Sequence, residues 1–286
     1  MNLNLKNNNN HYINNYKHHV QNGMSSNWGY CTNNGPETWS KSYPAAGGAR
    51  QSPVDICPPD LQMLQVKKLS WQYIPENEKT VTNSGHSWVV NVDGTGSELC
   101  GGPLDAHYKL EQFHCHWGVS DNEGSEHTVQ GQKFAGELHL VHWNTKYSSF
   151  LEAAKHPDGL CVLGVFLKPG RASNELAKVI SKFSQIQHKG QSAKIASPLD
   201  PAHLIPNDSS YWTYQGSLTT PPCSECVIWI VFKTPIEVSS EQLKAFRNLK
   251  SITPDESPVD EHEGFVKANY RPTLPLGNRV IGECRP

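Results

Sequence analysis

The sequence contains no hydrophobic run long enough to cross a bilayer, and neither sign of charge dominates it. No stretch of about 18 consecutive apolar residues occurs, so we expect no membrane-spanning helix. A continuous apolar segment is also missing near the N-terminus, which argues against a cleaved signal peptide. The net charge of −2 provides no electrostatic attraction to nucleic acid or to anionic lipid. We therefore expect neither a nucleic-acid partner nor a membrane partner.

Residues 1–26 lack acidic side chains and apolar periodicity, and they are rich in asparagine. Such a segment cannot bury enough surface to offset its ordering entropy, so we expect a disordered tail. Mitochondrial transit peptides are also poor in acidic residues, but they are rich in arginine, and this segment has none. Residues 27–286 are long enough to form one domain with a substantial core.

The eight cysteines do not show the dense spacing of a small disulfide scaffold. Cys223 and Cys226 have CxxC spacing, which would suit a redox pair or half of a zinc site. No second CxxC and no adjacent βαβ pattern accompany them, so we favour two buried strand residues and leave their redox state open. Without a signal segment, a reducing cytoplasm is the expected location, with the mitochondrion as the alternative.

Short apolar or alternating runs, broken by Gly, Pro and Asn, dominate the chain after position 27 and predict strands. Helical patterns are fewer and shorter, and Asn174 is a candidate N-cap for one of them. The fold class is therefore mainly β (α+β) in a single domain. The clearest strand runs are 88–92, 138–143, 160–167 and 226–232, and the helical patterns are 149–154, 173–183 and 240–248.

Three histidines have the spacing of a metal site. His114 and His116 are two residues apart in an apolar run, so a β-strand would direct both to one face and Cys115 to the other. His139, in a second such run, can supply a third imidazole. Three histidines with an open fourth position suit a catalytic Zn²⁺.

Each ligating histidine also needs an acceptor for its other ring nitrogen. Gln112 and Glu137 each precede a candidate ligand by two residues and would share its strand face. A lone HxH pair is more often two polar residues on a half-exposed strand. The combination of Gln-x-His-x-His with Glu-x-His favours the zinc site instead.

Six segments together resemble the α-class carbonic anhydrases, from about position 27 almost to the C-terminus. They are Asn-Trp-Gly-Tyr (27–30), Arg-Gln-Ser-Pro-Val-Asp-Ile (50–56), Gly-Ser-Glu-His-Thr-Val (124–129), Glu-Leu-His-Leu-Val-His-Trp-Asn (137–144), Ser-Leu-Thr-Thr-Pro-Pro-Cys (217–223) and Tyr-Arg-Pro (270–272). The resemblance implies a central, mostly antiparallel, ten-stranded twisted sheet with short peripheral helices and zinc at the base of a conical cleft. It also implies one Zn²⁺ per chain, a monomer, reversible hydration of CO₂ to bicarbonate and a proton, and a weak esterase activity.

The resemblance also implies roles for individual residues. Thr219 would accept a hydrogen bond from zinc-bound hydroxide and donate its own to Glu126, because a carboxylate can only accept. His86 would be the proton shuttle, with Tyr30 nearby, and the main-chain carbonyl of Asn269 would orient His116. The apolar wall for CO₂ and the mouth of the site would be formed by Val141, Val162, Leu218, Trp229 and Thr220. Of these only Val141 also has support from strand alternation, since it would share the face of His139.

Three positions depart from common family patterns. Ser84 and Val89, near His86, replace asparagines that help to order cavity water in the most active cytosolic members, which leaves the turnover rate open. Ala46 stands near the position where secreted members often carry the disulfide partner of Cys223.

Two other functional classes compete with this interpretation. A non-catalytic binding module would have lost a zinc histidine, whereas all three are present here. A zinc hydrolase of esters or phosphates would need a polar or cationic pocket, which the apolar residues predicted for the wall do not provide.

Overall fold

A computed structural model describes residues 28–77 and 79–285 of the chain. The tail predicted for residues 1–26 lies outside these residues. Within the described part, fourteen strands form: β1 Asp55–Ile56, β2 Leu61–Met63, β3 Lys67–Gln72, β4 Lys79–Asn83, β5 Trp88–Val92, β6 Glu98–Gly102, β7 Tyr108–Trp117, β8 Thr128–Val129, β9 Gly136–Asn144, β10 Leu160–Pro169, β11 Ser192–Ile195, β12 Tyr211–Gly216, β13 Val227–Val238 and β14 Ile281–Cys284. The helices are α1 Phe150–Ala153, α2 Asn174–Ile180 and α3 Ser240–Phe246, with short 3₁₀ helices at Pro36–Lys41, Pro44–Gly47, Pro58–Asp60, Phe183–Gln185 and Pro201–Leu204.

One twelve-stranded sheet organises the molecule, which confirms the predicted mainly-β class. Its continuous path contains ten strands in the order β11-β4-β5-β7-β9-β10-β13-β12-β14-β2, and β3 and β6 lie off this path. Most neighbours are antiparallel, while β10–β13 and β14–β2 are parallel. The remaining strands, β1 and β8, form a separate parallel pair.

The two faces of the central strands β7, β9 and β10 carry different side chains. One face packs into the largest hydrophobic cluster through residues such as Phe113, Cys115 and Leu140. The opposite face carries His114, His116 and His139, and we call it the site face. The alternation predicted for the HxH run is therefore present, with Cys115 fully buried on the core side.

The helices begin at capping serines. Ser173 caps α2 by accepting the backbone N–H of Leu176, so the N-cap is Ser173 and not Asn174 as the sequence suggested. Ser239 and Gln242 form a capping box at the start of α3. In the described residues no helix is long and apolar enough to span a membrane.

None of the eight cysteines, all of which the structure describes, forms a disulfide. Cys223 and Cys226 are buried as predicted, but neither lies in a strand: Cys223 has φ of 60°, and Cys226 immediately precedes β13. Ala46 packs in one small cluster with Cys223 and Trp39. The position where a disulfide partner would stand is thus filled by a methyl group.

Candidate metal centre

Strand pairing brings the three predicted histidines together. In the register between β7 and β9, His114 lies directly opposite His139, and His116 lies opposite Glu137. The imidazole ring centroids are 5.0 Å apart for His114 and His116, 5.3 Å for His114 and His139, and 4.6 Å for His116 and His139. One nitrogen from each ring lies within 4.8 Å of the others. His116 and His139 are buried and His114 is half-buried, so the centre opens towards solvent on the His114 side.

Each histidine donates its other ring N–H to a fixed acceptor. His114 Nδ1 lies 2.8 Å from Gln112 Oε1, His116 Nδ1 lies 2.7 Å from the Asn269 carbonyl, and His139 Nε2 lies 2.8 Å from Glu137 Oε1. These bonds leave His114 Nε2, His116 Nε2 and His139 Nδ1 as lone-pair nitrogens. His114 Nε2 and His116 Nε2 are only 3.1 Å apart. Lone pairs facing one another at this distance repel unless a cation lies between them, so the donor set fits a metal ion.

The electrostatics keep these imidazoles neutral. Burial lowers the pKa of His114 well below its ordinary value, and the neighbouring His116 and His139 add to the shift. The pKa of His116 falls to about 3, again chiefly through burial. Burial also lowers the pKa of His139, against the opposing effect of Glu137. Neutral imidazole is the form that binds a metal, so the ligands are ready at neutral pH.

Glu137 is fully buried and satisfies both of its oxygens. Oε1 accepts from His139 Nε2 and, at 2.7 Å, from His127 Nδ1. Oε2 accepts the backbone N–H groups of Glu126 and His127 at 2.9 and 2.8 Å. Burial alone would raise the pKa of Glu137, but electrostatic interaction and hydrogen bonds with the His127 and His139 rings outweigh burial, and the net pKa is lowered. Glu137 therefore stays ionised.

His127 and Tyr214 extend this network, and sequence reasoning did not assign them. His127 Nε2 lies 2.6 Å from the Tyr214 hydroxyl, which donates to Ser52 Oγ at 2.9 Å. The signal for His127 was its place beside Glu126 in the Gly-Ser-Glu-His-Thr-Val segment. Tyr214 had no such signal, because its role depends on the pairing of β12 with β13.

Glu126 lies beside the three histidines, and one of its two carboxylate oxygens already accepts a hydrogen bond. Oε1 accepts the backbone N–H of Arg271 at 2.9 Å, whereas Oε2 is buried without a hydrogen bond of full geometry and lies 3.4 Å from His116 Nε2. Burial and the charge of Glu137 raise the pKa of Glu126 well above its ordinary value, while an interaction with the Thr219 hydroxyl lowers it. Glu126 and Thr219 are thus close enough to interact, although Oε2 of Glu126 has no hydrogen bond of full geometry.

An apolar surface adjoins the histidines. Val141, Val162 and Trp229 are almost completely buried in one cluster, and Leu218 packs against it. Val162 of β10 lies opposite Val141 on one side and Trp229 on the other. The Trp229 ring meets His139 edge-on at 4.8 Å between centroids. The predicted wall residues therefore share one patch, while Thr220, whose carbonyl accepts from Cys223, lies half-buried beyond it.

His86 lies on the loop between β4 and β5, stacked on Trp28 with 3.7 Å between ring centroids. Tyr30 meets the His86 ring edge-on at 6.4 Å. Burial, helped by the charge of Lys189, lowers the pKa of His86 to about 3. The Ser84 hydroxyl accepts a hydrogen bond from the His86 backbone N–H at 3.2 Å. The serine that departs from the family pattern therefore stabilises the turn that carries His86.

Asn269 joins the ligands to the His86 loop. Its carbonyl accepts from His116, and its side-chain amide donates to the carbonyls of His86 and Cys115 at 2.8 and 3.1 Å. Its Oδ1 accepts the backbone N–H of Trp117 at 2.6 Å. Every polar group of this fully buried side chain is therefore used.

Comparisons with known proteins agree with this geometry. Residues 34–284 match the family model described as eukaryotic-type carbonic anhydrase. The chain is 45% identical to "Carbonic anhydrase 3" of Sus scrofa over 262 residues, which cover 90% of this chain and 98% of that protein. It is 45% identical to "Carbonic anhydrase 3" of Equus caballus and 44% identical to that of Rattus norvegicus, each over 261 residues with the same shares covered.

Proposed function

Because this chain belongs to the eukaryotic-type carbonic anhydrases, enzymes that hydrate carbon dioxide, we propose that it performs the reaction with one zinc ion bound by His114, His116 and His139. One observation carries this proposal. Three unprotonated ring nitrogens face one another, while the second nitrogen of each ring donates its N–H to Gln112, Asn269 or Glu137. When bound, zinc would supply a hydroxide nucleophile at neutral pH.

Thr219 and Glu126 orient the nucleophile in this proposal. Because the Arg271 N–H occupies Oε1 of Glu126, Oε2 is the oxygen available to accept from the Thr219 hydroxyl. Once the Thr219 hydroxyl donates a hydrogen bond to this carboxylate, its oxygen can only accept a hydrogen bond from the nucleophile. The reactive lone pair of the nucleophile is then directed away from Thr219 and towards the carbon of CO₂.

The apolar patch of Val141, Val162, Leu218 and Trp229 receives the substrate. Carbon dioxide is small and apolar, so it gains by contact with hydrocarbon and needs no polar anchor. Activated esters presented to the same nucleophile would be hydrolysed slowly, which accounts for the proposed weak esterase activity. A phosphate ester would bind poorly, since the patch offers no cation to its charge.

Stopped-flow measurement of CO₂ hydration, combined with metal analysis, tests the proposal. The purified chain should contain one zinc per molecule, lose hydration when a chelator removes the metal, and regain it when zinc is returned. Hydration that persists in the metal-free protein would contradict the proposal.

Replacing Glu137 with glutamine should weaken zinc binding by about 10–100-fold, because His139 loses its anionic acceptor. Competition with a chromophoric chelator gives the dissociation constant. Glu123→Gln is a suitable control, since Glu123 is a half-buried carboxylate that contacts Tyr270 and Lys133 away from the histidines. Equal zinc affinity in both variants would show that Glu137 has only a structural role.

His86 is proposed to carry the released proton to solvent. A proton that leaves a group of near-neutral pKa directly to water limits turnover to about 10³ per second, because recapture is diffusion-controlled. Faster turnover requires an acceptor such as imidazole. In the stacked position on Trp28 the ring holds a proton weakly, so the shuttle depends on exposure of His86 to cavity water.

His86→Ala should lower kcat by about 10-fold in weak buffer and leave kcat/KM nearly unchanged, since CO₂ attack precedes proton export. Added imidazole should restore much of the lost kcat. His107→Ala, at an exposed histidine that contacts Glu98, is the matched control. An unchanged kcat for His86→Ala in weak buffer would assign the proton route to another group.

A further inference from the structure

Glu111 occupies an extra position in β7. The pairing of β7 with β9 shifts between Leu110 and Gln112, which marks a β-bulge. Leu110 and Phe113 both lie in the large core cluster, so the two residues between them, Glu111 and Gln112, both fall on the site face. The bulge thus adds a carboxyl group to the face that carries the metal ligands.

This carboxyl group lies at the edge of the apolar patch. Trp143, two residues beyond Val141 on β9, packs against the same cluster and interacts with Glu111. The buried indole N–H of Trp143 makes no hydrogen bond of full geometry. Trp143 therefore does not hold the Glu111 carboxylate strongly. Burial raises the pKa of Glu111 above its ordinary value, and the Trp143 interaction and the charge of Lys109 offset this only in part.

The charged surroundings of Glu111 are sparse. Lys109, on the same strand, is the ammonium group that acts on it. On the neighbouring strands, β9 presents the uncharged Trp143, and β5 presents Asn91 opposite Gln112. A carboxyl group in this setting changes its charge without breaking a salt bridge.

We propose that Glu111 is a second proton-relay residue, which takes up the proton released by hydration and passes it to solvent in parallel with His86. The inference rests on the proposed function of the histidine centre. Glu111 precedes His114 by three residues, or roughly 10 Å along a strand, a span that a few water molecules bridge. Both residues are half-buried on the side where the centre opens to solvent.

The transfer is balanced as a proton movement. The proton leaves water at the centre and binds a carboxylate oxygen of Glu111, which gives a neutral carboxylic acid and leaves hydroxide behind. The acid then loses this proton to a buffer base and becomes a carboxylate again. No bond other than the O–H bonds changes, and no oxidant or reductant is required.

The test compares Glu111→Gln with the wild type by stopped-flow CO₂ hydration in weak buffer near neutral pH. Because His86→Ala should leave only about a tenth of the turnover to other routes, Glu111→Gln alone should change kcat little. In the His86→Ala background, where no parallel imidazole remains, Glu111→Gln should lower kcat by roughly a further threefold while kcat/KM stays within about twofold. Glu111→Asp should retain part of the lost turnover, and concentrated imidazole buffer should restore it.

Two further variants separate a relay from a structural role. Glu111→Ile replaces the carboxyl group with a side chain that extends the apolar wall. It should show the same fall in kcat in weak buffer as Glu111→Gln, so the result does not depend on how glutamine affects the bulge. Glu98→Gln, at an exposed carboxylate on β6, should leave kcat unchanged. In the His86→Ala background and weak buffer, a kcat for both Glu111 variants equal to that of His86→Ala alone would overturn the relay. Absence of hydration in every sample, the control included, would instead overturn the proposed function.

Discussion

Replacing His116 with alanine should remove zinc and CO₂ hydration together. His116 is 1% exposed, and the Asn269 carbonyl fixes its Nδ1, so its Nε2 is held facing the other two histidines. Two imidazoles bind zinc far more weakly than three, and hydration should fall by about 10³-fold or more. Metal analysis and stopped-flow assays on the same preparation measure both losses.

A control is needed because the substitution also empties buried volume. His107→Ala removes an exposed imidazole and should keep full zinc content and activity. Melting curves for both variants would separate a folded, metal-free protein from an unfolded one. A His116→Ala protein with normal zinc and normal turnover would show that these histidines are not the centre.

The second large effect concerns Thr219 and Glu126. Thr219→Ala and Glu126→Gln should each slow hydration by about 10²-fold without emptying the metal site, since a lost orienting hydrogen bond costs a few kcal/mol of the barrier. In the proposed function the two residues act through one hydrogen-bonded chain, so the double variant should be little slower than either single variant. Independent losses that multiply in the double variant would contradict the coupled role. Zinc content should be equal in all four proteins.

Periodicity predicted the elements that carry the centre, because their signal is local. The alternating run around His114 became β7, and the apolar runs at 138–143 and 160–167 became β9 and β10. Strand alternation also placed Gln112 and Glu137 on the faces where they contact His114 and His139. These features depend on period and spacing, which a sequence displays directly.

Features that depend on pairing between distant segments were not predictable in the same way. The bulge that directs Glu111 to the site face exists only in the register with β9. The contact between Glu126 and Arg271 joins residues 145 positions apart in the chain. The stacking of His86 on Trp28 likewise depends on how a loop meets the start of the domain. Family motifs, and not physical periodicity, indicated Glu126, Thr219 and His86 as site residues.

The position of Asn269 limits how substitutions can change metal binding and proton export separately. Because one buried amide holds the carbonyl of His86 while its main chain holds the ring of His116, the proposed metal centre and the proposed proton shuttle share a single anchor. A substitution there is expected to alter metal geometry and export at once, so neither rate can be adjusted independently through this residue. Separate control of the two rates must come from positions outside the anchor, such as Trp28 for export and Glu137 for the metal.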